Sequence, residues 1–284
     1  LMQSYKNLVF GSSGIIGKTL INLLNSKETL CTSRKKPEII KNINWKKIDL
    51  DKDNLKKLPK YVKIIYFLAS PYYLEKNLKK KNYFKKELAW IKKIIKNINC
   101  EKLVFMSSSS IYSKNHQIGF YKKQIENELN NSTIKTVQIW RPFNIVGYTK
   151  NSLSDHFQNI LIKQIYVKGR KKITLKGSMN DKRGYSSVIK FCKEVIKNSK
   201  YNKSFVYNYR NKNILKIKKV IEIFQNVLKQ NKKTSFNYRF KNLKTNKNYS
   251  YKKLDKVKTI FSREKSDEVL YNYFNEIIRN EKKV

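Results

Sequence analysis

Short apolar runs alternate with helical periodicities through the first half of this chain. Asn7 to Phe10, Thr29 to Thr32, Trp45 to Ile48, Val62 to Ala69, Leu103 to Ser107 and Thr136 to Trp140 read as strands. Between the fourth and fifth of these, Phe84, Leu88, Ile91 and Ile95 recur at helical spacing, and Phe120 to Leu129 predicts a further helix. Strands that alternate with helices predict an α/β fold: a doubly wound parallel sheet covered on both faces.

After Gly147 the rhythm changes. Asn159 to Ile165 and Val188 to Ile196 read as helices, and Lys172 to Leu175 and Ser204 to Tyr209 as strands. Ile217, Val220, Ile221, Phe224, Val227 and Leu228 mark an amphipathic helix. Arg239 to Lys258 is basic and weakly apolar, which predicts surface loops with one short element. Ser266, with Asp267 and Glu268 behind it, predicts the capped start of a last helix through Leu270, Phe274 and Ile277. The expected division is 1–147, with a returning strand near 204–209, and a smaller α/β domain over 148–284.

Composition narrows the class. Of the 284 residues 40% are hydrophobic, with no apolar run near membrane-spanning length, so no membrane span is expected. Leu1 to Lys6 does not read as a signal peptide. Cys31, Cys100 and Cys192 are odd in number and widely spaced, as for free thiols in a reducing, cytoplasmic setting. His116 and His156 are the only histidines, and no metal site is expected. The 64 Lys and Arg against 20 Asp and Glu give +44, which predicts attraction to nucleic acid or an anionic membrane surface. The lysines are spread along the whole chain among many Asn, Ile and Tyr, a bias that an AT-rich genome also produces. A polyanion-binding surface and compositional drift both account for it.

The most specific chemistry lies in glycine. Only 8 glycines occur, and three fall in Gly11-Ser12-Ser13-Gly14-Ile15-Ile16-Gly17, between an apolar strand and an apolar-periodic helix. In that context Gly11 permits the tight turn, Gly14 the approach of backbone to a pyrophosphate, and Gly17 the packing of helix on strand. The amides opening the helix then face the anion, with Ser13, Ile15 and Ile16 beside the glycines.

The spacing of these glycines resembles that of the extended short-chain dehydrogenases, the nucleotide-sugar epimerase, dehydratase and reductase family with a Rossmann-type sheet. Later landmarks follow in order over about residues 5–225. Asp49-Leu50-Asp51 resembles the acidic turn that contacts adenine, and Phe67-Leu68-Ala69-Ser70 the strand end that passes the cofactor. Ser107 to Tyr112 resembles the serine-rich end of strand five, and Arg141-Pro142-Phe143-Asn144-Ile145-Val146-Gly147 the strand-six motif. The resemblance implies Ser108 as the hydroxyl that holds the reacting sugar oxygen, and Ser109, Asn144 and Arg183 as substrate-binding groups. Ser109 and Ser110 stand where dehydratases carry Asp and Glu, which favours epimerase or reductase. Thr32-Ser33-Arg34-Lys35-Lys36 ends the second strand without an acid, so Ser33 and Arg34 favour NADP(H) over NAD(H). The resemblance also implies a homodimer, paired through helices near 80–98 and 118–130.

One departure affects the chemistry. The family pairs a Tyr with a Lys four residues later, one helical turn that stacks the two on one face. Tyr121 has Ile125 at that position. Aligning Lys122 with the family lysine gives Glu126 the usual downstream glutamate but puts Ile118 at the tyrosine position. A helix that starts late would instead let Tyr121 reach the site from a loop, beside Lys122 or Lys123. Two readings follow. In one the chain is an NADP(H)-dependent epimerase or reductase of a nucleotide-linked sugar, with Ser108, Tyr121 and Lys122 moving protons. In the other it is a catalytically inactive dinucleotide-binding relative with a regulatory or RNA-binding role.

Overall fold

The computed structural model describes residues 5–37, 42–71, 82–113, 117–148, 156–233, 235–241 and 257–281. His116, Leu1 to Ser4, the side chain of Phe84 and most of the basic stretch before Lys258 lie outside them.

In chain order the first elements are β1 (Asn7–Phe10), α1 (Ile15–Leu23), β2 (Thr29–Ser33), β3 (Asn44–Lys47) and β4 (Tyr61–Phe67). They are followed by α2 (Asn82–Asn97), β5 (Asn99–Met106), α3 (Gln117–Asn130), β6 (Thr136–Pro142), β7 (Ile145–Val146) and α4 (Phe157–Leu161). Next come β8 (Lys172–Lys176), β9 (Lys182–Arg183), β10 (Ser186–Ser187), α5 (Val188–Ser199) and β11 (Phe205–Asn211). The chain closes with β12 (Leu215–Lys216), α6 (Ile217–Gln230), β13 (Asn237–Lys241), β14 (Thr259–Ser262) and α7 (Ser266–Glu281).

Two compact units result: Leu1–Pro142 with Ile189–Tyr209 and Tyr249–Ile260, and Phe143–Val188 with Arg210–Asn248 and Phe261–Val284. The first therefore ends five residues before the expected boundary at 147, and it takes back most of α5 and of β11. The reason is burial: Phe191 on α5 meets the ring of Trp140 on β6 at 5.9 Å, and β11 pairs in parallel with β6.

The large sheet runs β14-β11-β6-β5-β4-β1-β2-β3, and the pairings from β11 through β3 are all parallel. Its central strands are apolar on both faces, as strands between two helical layers must be. Phe10, Phe67 and Phe105 stand level across β1, β4 and β5, their ring centres 6.3 and 6.2 Å apart. Burying three such rings contributes several kcal/mol, at about 1.5–3 kcal/mol per large apolar side chain, and it fixes the strand ends on which the site is built.

The second unit has its own core. Ile217, Val220, Ile221, Phe224, Val227 and Leu228 of α6 are buried with Leu270, Phe274 and Ile277 of α7, as the periodicity predicts. Ser266 departs from expectation. Its hydroxyl accepts from the Tyr185 amide at 3.0 Å and donates to the Asn213 carbonyl at 2.5 Å, tying α7 to neighbouring backbone rather than capping its own helix.

Candidate functional site

The glycine turn is tight for reasons internal to the fold at two of its three glycines. Gly11 has φ +83°, and a Cβ there would lie 2.6 Å from the Ala69 amide nitrogen. A Cβ at Gly17 would lie 2.3 Å from the Gly11 carbonyl oxygen, so the helix could not close on the strand. Gly14 differs. It has φ −75°, ψ 167°, and a Cβ there would meet the Gly11 oxygen at an ordinary 3.6 Å. Neither backbone conformation nor packing requires glycine at this position. Gly14 is the N-cap of α1, with no side-chain cap and no acid in the first turn, so the amides of Ile15, Ile16 and Gly17 form an uncapped, positive helix end. Ser13 and Gly14 are exposed, while Ser12 is fully buried and donates to the Thr32 carbonyl at 3.1 Å.

At the end of β2 the two residues expected to meet an adenosine phosphate behave differently. Ser33 is buried, donates to the Lys35 carbonyl at 2.6 Å, and accepts from Trp45 Nε1 at 3.0 Å and Ser12 Oγ at 3.1 Å. Its hydroxyl is thus satisfied inside the protein; Arg34 is the exposed member of the pair. Asp49 accepts from the Asp51 amide at 3.1 Å and holds the acidic turn in shape. Asp51 faces α2, where it accepts from Trp90 Nε1 at 2.8 Å and pairs with Lys86 at 2.7 Å. Leu50 is buried in the core. Leu68, Ala69 and Ser70 are half-buried after β4, against the glycine turn through the backbone of Leu68 and Ala69.

After β5, Ser108 caps a short 3-10 turn over Ser109–Tyr112: its oxygen accepts from the Ser110 amide at 3.1 Å and bonds the Ser110 hydroxyl at 2.7 Å. Ser109 is half-buried beside it. Helix α3 starts at Gln117, earlier than the expected Phe120, so Tyr121 lies within the helix and not on a loop. Gly119 permits this early start, because a Cβ there would lie 2.1 Å from the Ser110 carbonyl. Tyr121 is half-buried, and its hydroxyl accepts from Gln117 Nε2 at 2.8 Å.

Lys122 points elsewhere. Its buried ammonium donates to Glu87 at 2.6 Å and to the Met106 carbonyl at 2.9 Å, and lies 4.8 Å over the ring of Phe105. Burial pushes the Glu87 carboxyl upward in pKa, with Lys122 opposing. One turn on, buried Glu126 takes Arg141 Nε at 2.9 Å, Arg141 Nη2 at 2.5 Å and the Ser107 hydroxyl at 2.5 Å. Burial works against the Arg141 charge, but the Glu126 contacts outweigh it and raise the guanidinium pKa. Arg141 Nη1 also donates to Tyr112 at 2.8 Å, and Tyr112 to Asn208 at 2.8 Å. Lys122 and Glu126 thus share the sheet-facing side of α3, and Ile118 is the residue one turn before Lys122. Tyr121 is about 100° around the helix from Lys122.

Glu87 and Trp45 did not stand out in the sequence. Glu87 carries one available signal: it is the sole acid of α2, among five lysines. Trp45 carries none, because a strand tryptophan reads as core.

In the second unit, Asn144 adopts φ +40° and donates to the Gly184 carbonyl at 3.2 Å. Arg183 lies in β9 with its guanidinium 5.9 Å over the ring of Phe157. Among the described residues no group of three or more His, Cys, Asp and Glu could hold a metal ion, and no helix is long and apolar enough to cross a membrane.

Residues 7–136 match the sequence model of the NAD dependent epimerase/dehydratase family. No curated protein matches the chain. Solved structures do: a UDP-N-acetylglucosamine 4-epimerase from Methanobrevibacter ruminantium M1, in complex with UDP-N-acetylmuramic acid, aligns at 20% identity and TM-score 0.71 over 98% of this chain and 100% of its own. A UDP-glucuronic acid 4-epimerase from Bacillus cereus, in complex with UDP-glucuronic acid and NAD, aligns at 18% identity and TM-score 0.71 over 95% and 99%. TunA, an NAD dependent NDP-hexosamine 5,6-dehydratase involved in tunicamycin biosynthesis, aligns at 14% identity and TM-score 0.69 over 97% and 98%. At these identities the likeness establishes the fold.

Proposed function

We propose, from the match of residues 7–136 to the model of the NAD dependent epimerase/dehydratase family, that this chain binds a nicotinamide dinucleotide and acts on a nucleotide-linked sugar as an epimerase or reductase. The observation that carries the reading is Gly14, a glycine that the fold itself does not need, at the uncapped start of α1. The residues fit the cofactor: the amides of Ile15, Ile16 and Gly17 would hold its diphosphate, Asp49 and Leu50 its adenine, and Leu68, Ala69 and Ser70 would line its passage. When bound, a nicotinamide supplies a hydride acceptor and donor. We assign Ser108 to the reacting sugar oxygen, Tyr121 and Lys122 to proton movement, and Ser109, Asn144 and Arg183 to substrate binding. NADP(H) is favoured over NAD(H) by Arg34 and the absence of an acid at the end of β2, although the NAD-bound UDP-glucuronic acid epimerase shows the fold serving the unphosphorylated cofactor. Ser109 and Ser110 have no carboxyl to move a proton, which argues against a dehydratase.

A second reading, binding without turnover, is favoured by one pair of contacts. Lys122 is held by Glu87 and the Met106 carbonyl, and the residue one turn before it is Ile118, which has no proton to exchange. Turnover of a panel of UDP-sugars by the wild type and by Tyr121→Phe separates the two. The enzymatic reading expects activity that falls at least about 100-fold in the variant, the scale of lost general acid–base catalysis. The binding reading expects none from either protein with nicotinamide affinity intact.

A further inference from the structure

Strands β8 and β13 form a two-stranded parallel ribbon in the second unit, pairing Lys172 with Asn237, Thr174 with Arg239 and Lys176 with Lys241. Paired residues share a face. Ile173 and Leu175 turn inward and are buried, with Tyr238 and Phe240 against the same core. Lys172, Lys176, Arg239 and Lys241 are therefore left together on the opposite, exposed face. Arg239 donates to Thr174 at 3.1 Å, which lays its guanidinium across the ribbon. None of the four forms an ion pair with another described residue.

The strands' own sequence neighbours supply no acid to this face. No Asp or Glu occurs between Asp155 and Asp181, nor between Glu222 and Asp255, so both strands come from acid-free stretches. Arg170 and Lys171 extend the exposed row ahead of β8. Asp181, the nearest acid after β8, is occupied in its own turn with the Ser178 amide at 3.5 Å.

Side chains on one face of a strand recur every ~6.6 Å, and adjacent strands are ~4.8 Å apart. A cationic ladder of that pitch suits a linear polyanion that carries one charge per repeating unit. We propose that the exposed face of the β8–β13 ribbon binds single-stranded nucleic acid through its phosphodiester backbone. Among the described residues this face carries no aromatic ring, so recognition is of the phosphate backbone through charge and is indifferent to sequence. This binding is independent of the dinucleotide reading, whose cofactor residues lie in the first unit.

The test is fluorescence anisotropy of labelled poly(U), titrated with the wild type across a salt series. Two variants are compared: Lys172→Gln/Lys176→Gln/Arg239→Gln/Lys241→Gln, and a charge-matched control, Lys56→Gln/Lys85→Gln/Lys96→Gln/Lys200→Gln, built from exposed lysines of the first unit. The ribbon variant should bind at least about tenfold more weakly than the control at equal melting temperature, and its slope of log K against log salt should flatten by about 3, as for four lost phosphate contacts. Equal losses in the two variants would overturn the proposal, because general charge would then suffice, and so would a wild type that does not bind. Loss of binding only to phosphatidylserine vesicles, with poly(U) binding retained, would assign the face to lipid and overturn it as well.

Discussion

The ammonium of Lys122 lies 2.6 Å from a carboxylate oxygen of Glu87, and both side chains are buried. This pair ties α3 to α2 through buried charge. This anchor is paired one turn away by Glu126 and Arg141, so two buried cations on neighbouring elements each have a buried acid. A charge buried without its partner is strongly destabilising, whereas the intact pair contributes little over an apolar replacement.

Removing one partner should therefore cost far more than removing both. Glu87→Leu is expected to lower unfolding free energy by ~3–5 kcal/mol, and Glu87→Leu/Lys122→Met to restore most of it. Urea denaturation of the three proteins checks this; a single variant as stable as the wild type would show that Lys122 finds water in place of Glu87.

The glycines of the turn should divide by mechanism. Gly17→Ala places a methyl 2.3 Å from a carbonyl oxygen and is expected to destabilise the fold by ~1–3 kcal/mol. Gly14→Ala has room, so thermal melting should be unchanged while affinity for a dinucleotide falls. Equal melting temperatures for both variants would contradict the assignment.

Cofactor preference should follow Arg34 and not Ser33. The Ser33 hydroxyl is spent on Lys35, Trp45 and Ser12, so Ser33→Ala should cost stability and leave the NADPH to NADH affinity ratio in place. Arg34→Ala should lower NADPH affinity alone, by about tenfold for one lost phosphate contact. Isothermal titration with both cofactors measures the ratio.

Cys31 should resist alkylation. Burial pushes its thiol from 9.0 up to about 11, so at pH 8 its thiolate fraction is about 100-fold below that of an ordinary cysteine. Because the folded pKa is raised, this thiol contributes stability that is present through neutral pH and is lost as pH rises toward the folded value. Iodoacetamide mapping should find Cys31 unmodified in the native protein and modified in urea.

The strands and the glycine turn could be read from the sequence because their signals are local. Leu8-Val9-Phe10 before Gly11 is a strand on any reading, and the face of α6 shows the spacing that buries it. The start of α3 could not be read, because it depends on Gly119 letting backbone approach Ser110, a contact between segments that no period records. The same holds for Glu87, whose role appears only once α2 and α3 share one face of the sheet. The partners of Ser33 are equally hidden: its type suits a phosphate ligand, and Trp45, which donates to its hydroxyl, comes from the next strand.

The most direct measurement is a fluorescence titration of wild type and Gly14→Asp with NADPH and NADH. The account predicts saturable binding by the wild type and at least about a tenfold loss in the variant at unchanged melting temperature, since a carboxylate would repel the diphosphate at the start of α1. Failure of the wild type to bind either cofactor, or equal binding by the variant, would contradict it.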